Sequence, residues 1–318
     1  DGDGDLDLAG AGSAGYPSKV YFNNGNAYFS EYILPGWSIS FSSQFKVADI
    51  DNDGDSDLIA GASSANSKIY YNNGWWTFTD YILPGWLTYF WRGLTIADLD
   101  NDWDLDLAGA GLYGSSKVYY NNGWWTFTDY ILPGWATYFE GGFRIRDIDW
   151  DGDLDLAGAG WGSNSKVYYN NGWWTFTDYI LPGWNTTFLG GLTIADLDND
   201  WDLDLAGAGF NNNESKIYLN NGSGLFSSFH LDWWPGWYQY MSHFYGGFSL
   251  LDFDWDGDLD LAAVGNSNNN SVLYTNNGIG SFGITNLAWW WTNFQSNFTI
   301  LDFDGDGNLD LAGAGSNN

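Results

Sequence analysis

Cysteine is absent from the 318 residues, and methionine occurs once. No disulfide can therefore place the chain in an oxidising compartment. Basic residues are scarce: nine Lys and Arg stand against 40 Asp and Glu, a formal charge of −31. That balance excludes nucleic acid as a partner, because its phosphates must be neutralised by Lys and Arg. The two histidines, His230 and His243, have no cysteine or serine-centred motif beside them, and no catalytic constellation forms around them. No apolar run is long enough to span a membrane, and helical periodicity is missing throughout. The first residues, Asp1-Gly2-Asp3, lie inside a motif without initiator Met or leader, which reads as a mature or truncated form.

What is abundant is just as selective. A hydrophobic content of 44% with 20% aromatic residues excludes intrinsic disorder. Between Asp49 and Leu58 runs Asp-Ile-Asp-Asn-Asp-Gly-Asp-Ser-Asp-Leu. Counting Asp49 as position 1, carboxylates fall at 1, 3, 5, 7 and 9, with glycine at 6 and a backbone carbonyl on offer at 7. Hard oxygen donors at alternate residues around a sharp turn are the ligand logic of an EF-hand-type calcium loop. The Glu that closes an EF-hand is missing, and apolar, strand-like residues follow, so the loop joins strands.

The candidate ligands recur loop by loop: Asp49, Asp51, Asp53, Asp55 and Asp57; Asp98, Asp100, Asp102, Asp104 and Asp106; Asp147, Asp149, Asp151, Asp153 and Asp155. Asp196, Asp198, Asp200, Asp202 and Asp204 follow, then Asp252, Asp254, Asp256, Asp258 and Asp260, then Asp302, Asp304, Asp306, Asn308 and Asp310. A copy lacking its first ligand opens the chain with Asp1, Asp3, Asp5 and Asp7. These seven loops hold 33 of the 40 acidic residues, so the acidity is metal chemistry and the expected cofactor is Ca2+. Several weak sites of this kind suit the millimolar calcium outside cells. The expected location is extracellular, secreted or at the cell surface.

Complete loops begin 49, 49, 49, 56 and 50 residues apart. Units of this size cannot bury a core alone and must stack, which makes one domain over 1–318 the natural result. Each repeat reads as four short strands. A short apolar strand such as Leu94–Ala97 leads in, the loop follows, and then a small-residue strand, Asp106–Gly111. Ser116–Tyr120 comes next, ending at the turn signal Asn121-Asn122-Gly123. Trp124–Ile131 is the last strand, and Leu132-Pro133-Gly134-Trp135 closes the unit. Four antiparallel strands repeated radially describe a β-propeller blade. A parallel β-helix has much shorter turns.

The loops, the Leu-Ala-Gly-Ala-Gly that follows them and the segment Val-Tyr-Tyr-Asn-Asn-Gly…Thr-Phe-Thr-Asp resemble the FG-GAP/VCBS repeat family, which includes the integrin α-subunit head. The likeness runs over essentially the whole chain. It implies an all-β fold, a β-propeller of four-stranded antiparallel blades, usually seven, with calcium in the first hairpin loop of a blade and no catalysis. Seven loops and seven Ala/Gly strands fit seven blades. Only six copies of every other strand leave six blades as the alternative. Trp103 and Trp201 depart from the pattern, occupying position 6 where glycine provides the turn.

Other recurring residues have structural as well as functional readings. The pairs Trp75-Trp76, Trp124-Trp125 and Trp173-Trp174, read as strand residues, point to opposite faces, one ring between blades and one outward. Trp37, Trp86, Trp135 and Trp184 each follow Pro-Gly. Lys19, Lys68, Lys117, Lys166 and Lys216 begin one strand and are expected to pair with a neighbouring acidic loop. Asn185, Asn213, Asn221, Asn269 and Asn297 begin glycosylation sequons. The middle repeats share an identical fifteen-residue segment at 72–86, 121–135 and 170–184. The expected function is non-enzymatic: an adhesive or structural surface protein that assembles with itself, as a homo-oligomer or filament, or binds a cell-surface partner. A multivalent lectin is the alternative.

Overall fold

The computed structural model describes residues 1–13, 15–36, 41, 45–62, 66–85, 90, 94–111, 116–134, 139–160, 164–183, 188, 191–209, 215–231, 244, 247–265, 271–287, 298–304 and 310–313. Two compact units are formed, Asp1–Tyr138 with Asn170–Asp178, and Phe139–Tyr169 with Tyr179–Asn318. The described residues contain strands and no α-helix, and no helix long and apolar enough to cross a membrane.

Seven antiparallel sheets follow the repeats, five of four strands, one of three and one of two. The first unit holds the three-stranded sheet Leu8–Gly10, Lys19–Asn23 and Phe29–Ile33, followed by two complete ones. A complete sheet is a simple meander: Lys46–Ala48, Asp57–Ala60, Lys68–Asn72 and Phe78–Ile82 pair in chain order, with registers Val47↔Leu58, Leu58↔Tyr70 and Tyr70↔Asp80. The next, from Leu94–Ala97 to Phe127–Ile131, repeats it. In the second unit, three complete sheets start at Phe139–Arg146, Leu192–Ala195 and Ser249–Leu251, and Thr299–Leu301 pairs with Asp310–Ala312. The tip of the outer hairpin of the first of these belongs to the other unit.

Residue size explains the strand order. The second strand of each complete sheet is built from Asp, Leu, Ile, Ala and Gly and is wholly buried. Its small residues make room for phenylalanine: a Cβ on Gly109 would fall 2.4 Å from the ring of Phe90, and one on Gly207 equally close to Phe188. The third strand carries Val/Ile-Tyr-Tyr and is buried on both faces in the middle repeats. Its rings interleave with the next sheet, as Ile69 and Tyr71 do with Leu107 and Tyr119 in one core cluster of the first unit. Each such side chain contributes about 1.5–3 kcal/mol on burial. The fourth strand is an edge and buries mainly its first residue, Phe78, Phe127, Phe176 or Phe226.

Two expectations need correction. The tryptophan pairs do not lie on strands: the fourth strands begin at Phe78, Phe127 and Phe176, and the indoles occupy the preceding hairpin turns. Trp75 and Trp76 have φ of 50° and 66°, which closes a turn and cannot extend a strand. One ring of each pair nonetheless packs between repeats. Trp76 stacks on Phe22, Trp125 on Tyr71 and Trp174 on Tyr120, with centroids 5.1–5.3 Å apart; these rings stay about half exposed, and Trp75, Trp124 and Trp173 are almost wholly so. Lys19, Lys68 and Lys117, too, bond differently. Lys68 and Lys117 pair with Asp80 and Asp129 on the fourth strand of their own sheet, 2.6 Å away, and Lys19 with Glu31 at 2.9 Å. The Lys68 and Lys117 ammonium groups rest against Gly36 and Gly85 of the preceding repeat's Leu-Pro-Gly turn. Trp37, Trp86, Trp135, Trp184, Arg92, His243, Asn185, Asn213, Asn269 and Asn297 lie outside the described residues.

The first asparagine of Asn-Asn-Gly, read from sequence only as a turn residue, stitches successive repeats. The amide nitrogen of Asn121 donates to the carbonyl of Ile50 at 2.9 Å, and that of Asn170 to Leu99 at 2.7 Å. In the second unit Asn220 reaches Ile148 and Asn276 reaches Leu197 at 2.9 and 2.8 Å. Asn121 Oδ1 accepts from its own turn, at Gly123 N–H. Replacing Asn121 by Leu removes these bonds and leaves buried backbone groups unpaired, a cost of about 1–3 kcal/mol. Denaturant unfolding of that variant is expected to show a lower midpoint by that amount, and an unchanged midpoint contradicts the stitch.

Candidate metal centre

Each of the six complete aspartate loops joins the first and second strands of a sheet, the opening one leads into Leu8–Gly10, and the loop backbone is wound by its own carboxylates. The N–H at position 6 donates to the position-1 carboxylate in five loops: Gly54 to Asp49, Trp103 to Asp98, Gly152 to Asp147, Trp201 to Asp196 and Gly257 to Asp252, at 3.0–3.1 Å. Position-7 N–H groups bond the carboxylate at position 5, as Asp55 does to Asp53 at 2.8 Å.

Position 9 has a second task. Asp57, Asp106, Asp155, Asp204 and Asp260 are completely buried. One oxygen of Asp57 accepts the N–H of Ile50 within the loop, at 2.8 Å, and the other accepts that of Asn72 on the third strand, at 2.7 Å. Asp106, Asp204 and Asp260 make the same two bonds, tying loop to sheet.

Among the described residues, the groups of three carboxylates whose oxygens come within 4.8 Å of one another include Asp49, Asp51 and Asp53; Asp98, Asp100 and Asp106; Asp147, Asp149 and Asp151; Asp196, Asp198 and Asp204; and Asp252, Asp254 and Asp260. Positions 1 and 3 are common to these five, joined by 5 or by 9. The position-7 side chains turn elsewhere. A Cβ on Gly222 would fall 2.6 Å from Asp202 Oδ2, and one on Gly278 2.5 Å from Asp258 Oδ2, so these carboxylates lie against the Asn-Asn-Gly turn. Asp104 accepts from Asn52, and Asp258 from Asn199. In the opening loop the α-amino group of Asp1 lies 2.9 Å from Asp7 Oδ2, and Asp3 and Asp5 N–H groups bond the carboxylates of Asp1 and Asp3. In the last loop Phe303 N–H bonds Asp310, while Asp306 and Asn308 lie outside the described residues.

These clusters fit a cation. Asp100, Asp147, Asp149, Asp196 and Asp198 each have a buried carboxylate oxygen with no hydrogen-bond partner. Burial of such an atom is costly without compensation, and none of the nearby carboxylates can donate a bond while ionised. Burial, followed by repulsion from Asp102, pushes Asp100 up to about 6. Burial also pushes Asp106 to about 8 and Asp57 and Asp204 to about 7, against the lowering effect of their two backbone donors. All-oxygen, multi-carboxylate sites suit hard divalent ions.

The tryptophans at position 6 keep the loop path under strain. Trp103 and Trp201 have φ of 77° and 76°, where Gly54, Gly152 and Gly257 have 96–97°. A non-glycine residue in this left-handed region costs about 1–2 kcal/mol.

The FG-GAP-like repeat model matches residues 1–60, 49–108 and 196–263, more than half of the chain. The chain belongs to the FG-GAP-like repeat family. Among solved structures, an Agrocybe aegerita lectin, described for its specific recognition of non-reducing terminal N-acetylglucosamine, is 22% identical over 89% of this chain and 76% of its own, with a TM-score of 0.52. Sqt1 from Chaetomium thermophilum is 14% identical, covering 87% of this chain and 67% of that one, with a TM-score of 0.49. The Photorhabdus luminescens Tc holotoxin pore is 16% identical over 92% of this chain, which spans 15% of that one, with a TM-score of 0.38. No curated protein matches the chain.

Two outcomes follow from the loop geometry. Trp103→Gly should tighten calcium binding at the Asp98 loop, and a titration without such a gain contradicts the strain. The raised carboxyls make the metal-free fold bind more protons than the unfolded chain, whose aspartates titrate near 3.9. Metal-free stability should therefore rise as pH falls from about 8 towards 5, while calcium affinity falls across the same window because the ion needs the ionised form. Parallel melting and calcium titrations at several pH values check both signs.

Proposed function

We propose that the chain is a calcium-stabilised, non-enzymatic extracellular β-propeller, a single domain over 1–318 with seven blades, that acts as an adhesive or structural surface protein. The alternative of six blades differs only in how the sheets at the two ends combine. The observation that carries the metal part is the set of carboxylate triads with unpartnered buried oxygens. Calcium is the ion that suits oxygen donors at alternate residues about a sharp turn. The loops serve structure: they are closed by their own hydrogen bonds.

Self-association draws on the fourth strands. Ile33, Ile82, Ile131 and Ile180 occupy the same place on four of these edges, each more than half exposed. An exposed edge with an apolar side chain is a template for pairing with another chain. Repetition lets weak contacts act together. A lectin is the second reading, favoured by the likeness of fold to the Agrocybe protein and by the identical repeated hairpins, which would present equivalent sugar sites.

At millimolar calcium and dissociation constants of about 10⁻⁴ to 10⁻³ M, each site stabilises the fold by roughly 0.4–1.4 kcal/mol. Six complete loops then contribute about 2–9 kcal/mol, comparable to a domain's net stability. Chelation is expected to lower the melting temperature markedly, and an unchanged value contradicts the role of the ion. Size measured against protein concentration, with and without N-acetylglucosamine, separates the two surface readings. Growth of assemblies that ignores sugar, and is lost in an Ile82→Lys/Ile131→Lys variant, supports self-contact. A strict monomer that binds the sugar refutes it and leaves the lectin.

A further inference from the structure

The structure describes ten tryptophans, and all ten have a positive φ: Trp75, Trp76, Trp103, Trp124, Trp125, Trp150, Trp173, Trp174, Trp201 and Trp255, between 50° and 77°. Among the described residues no tyrosine or phenylalanine does. Only a few per cent of non-glycine residues adopt this conformation, and those are mostly Asn and Asp, whose short polar side chains bond locally. Here three of the other four are Asn52, Asn101 and Asn199. An indole has no such compensation, and the same backbone does not select the other aromatic residues. The common factor is therefore not ring packing.

Register supplies the factor. Trp103 and Trp201 stand at the loop position of Gly54, Gly152 and Gly257. Trp76, Trp125 and Trp174, with φ of 63–66°, stand at the hairpin position of Gly224 and Gly280, whose φ is 70°. Trp150 and Trp255 stand where the opening loop has Gly2 and others have asparagine. Trp75, Trp124 and Trp173 immediately precede the second set, inside the same tight turn. Seven of the ten described tryptophans thus stand where another copy of the repeat has glycine, and the other three, aligned with Asn26, Ser223 and Ile279, share the positive φ of the turn they belong to.

One codon links the two amino acids. UGA differs from the tryptophan codon UGG in its last base and from the glycine codon GGA in its first. We propose that these ten positions are encoded by UGA, that the cell making this protein decodes UGA as glycine, and that its native chain carries glycine at each of them. In that chain all the loops have an unstrained turn, and the hairpin tips offer flexible backbone in place of indole. The contact surface is then the row of exposed isoleucines on the fourth strands. None of this rests on metal binding; it stands or falls separately from the calcium reading.

The test is to read the gene at these codons and to sequence peptides of the protein isolated from the cells that carry it. The tryptic peptide 118–144, which spans Trp124 and Trp125, is a convenient probe. The expected result is UGA at all ten codons and glycine in the peptides, each lighter by the difference between the two side chains per position. UGG codons overturn the proposal. UGA codons with tryptophan in the peptides overturn it as well.

Discussion

Repulsion between carboxylates held within 4.8 Å of one another is the constraint on which the architecture depends. Nine basic residues cannot neutralise 40 acidic ones, and the buried ammonium groups of Lys68 and Lys117 are engaged by strand aspartates, away from the loops. Compensation has to come either from protons, which burial already draws onto Asp57, Asp106 and Asp204, or from a divalent ion. An ion suits the clusters better, because the unpartnered oxygens of Asp100, Asp147, Asp149, Asp196 and Asp198 are acceptors that no neighbouring donor reaches.

The same constraint connects loop to sheet and sheet to sheet. The position-9 aspartate Asp106 holds the start of its loop, at Leu99 N–H, and the end of the third strand, at Asn121 N–H, and the side chain of that same Asn121 reaches the preceding repeat. A cation that orders the loop thus also fixes the carbonyl that the following repeat's asparagine grips. Stability is passed from neighbour to neighbour, as in other repeat architectures.

Much of this was legible in the chain. The spacing of Asp, Gly and Leu near every 49 residues marked the loops, and alternating turn signals marked four strands per repeat. The family resemblance held over the matched regions. What the pattern hid were roles that depend on contact between repeats. Asn121 looks like a turn residue because Asn-Asn-Gly is a turn signal, yet its side chain bonds a residue 71 positions away. The tryptophan pairs looked like strand residues because aromatics favour strands, whereas their dihedrals belong to turns. Asp55 and its equivalents are ligand candidates by alternation, and what alternation does not reveal is that carboxylates such as Asp202 and Asp258 lie beside the Asn-Asn-Gly turn. Lys117 was expected near an acidic loop on charge grounds, and cross-strand proximity to Asp129 prevailed.

The central claim is that each aspartate loop is a cation site on which the fold is built. Its most direct test is the number of calcium ions bound per chain, by equilibrium dialysis of the folded protein against buffered calcium. The account predicts about one ion for each complete loop, with one ion lost when Asp147 and Asp149 are together changed to Asn. No retained calcium at millimolar concentration, or a number unaffected by that change, would contradict it.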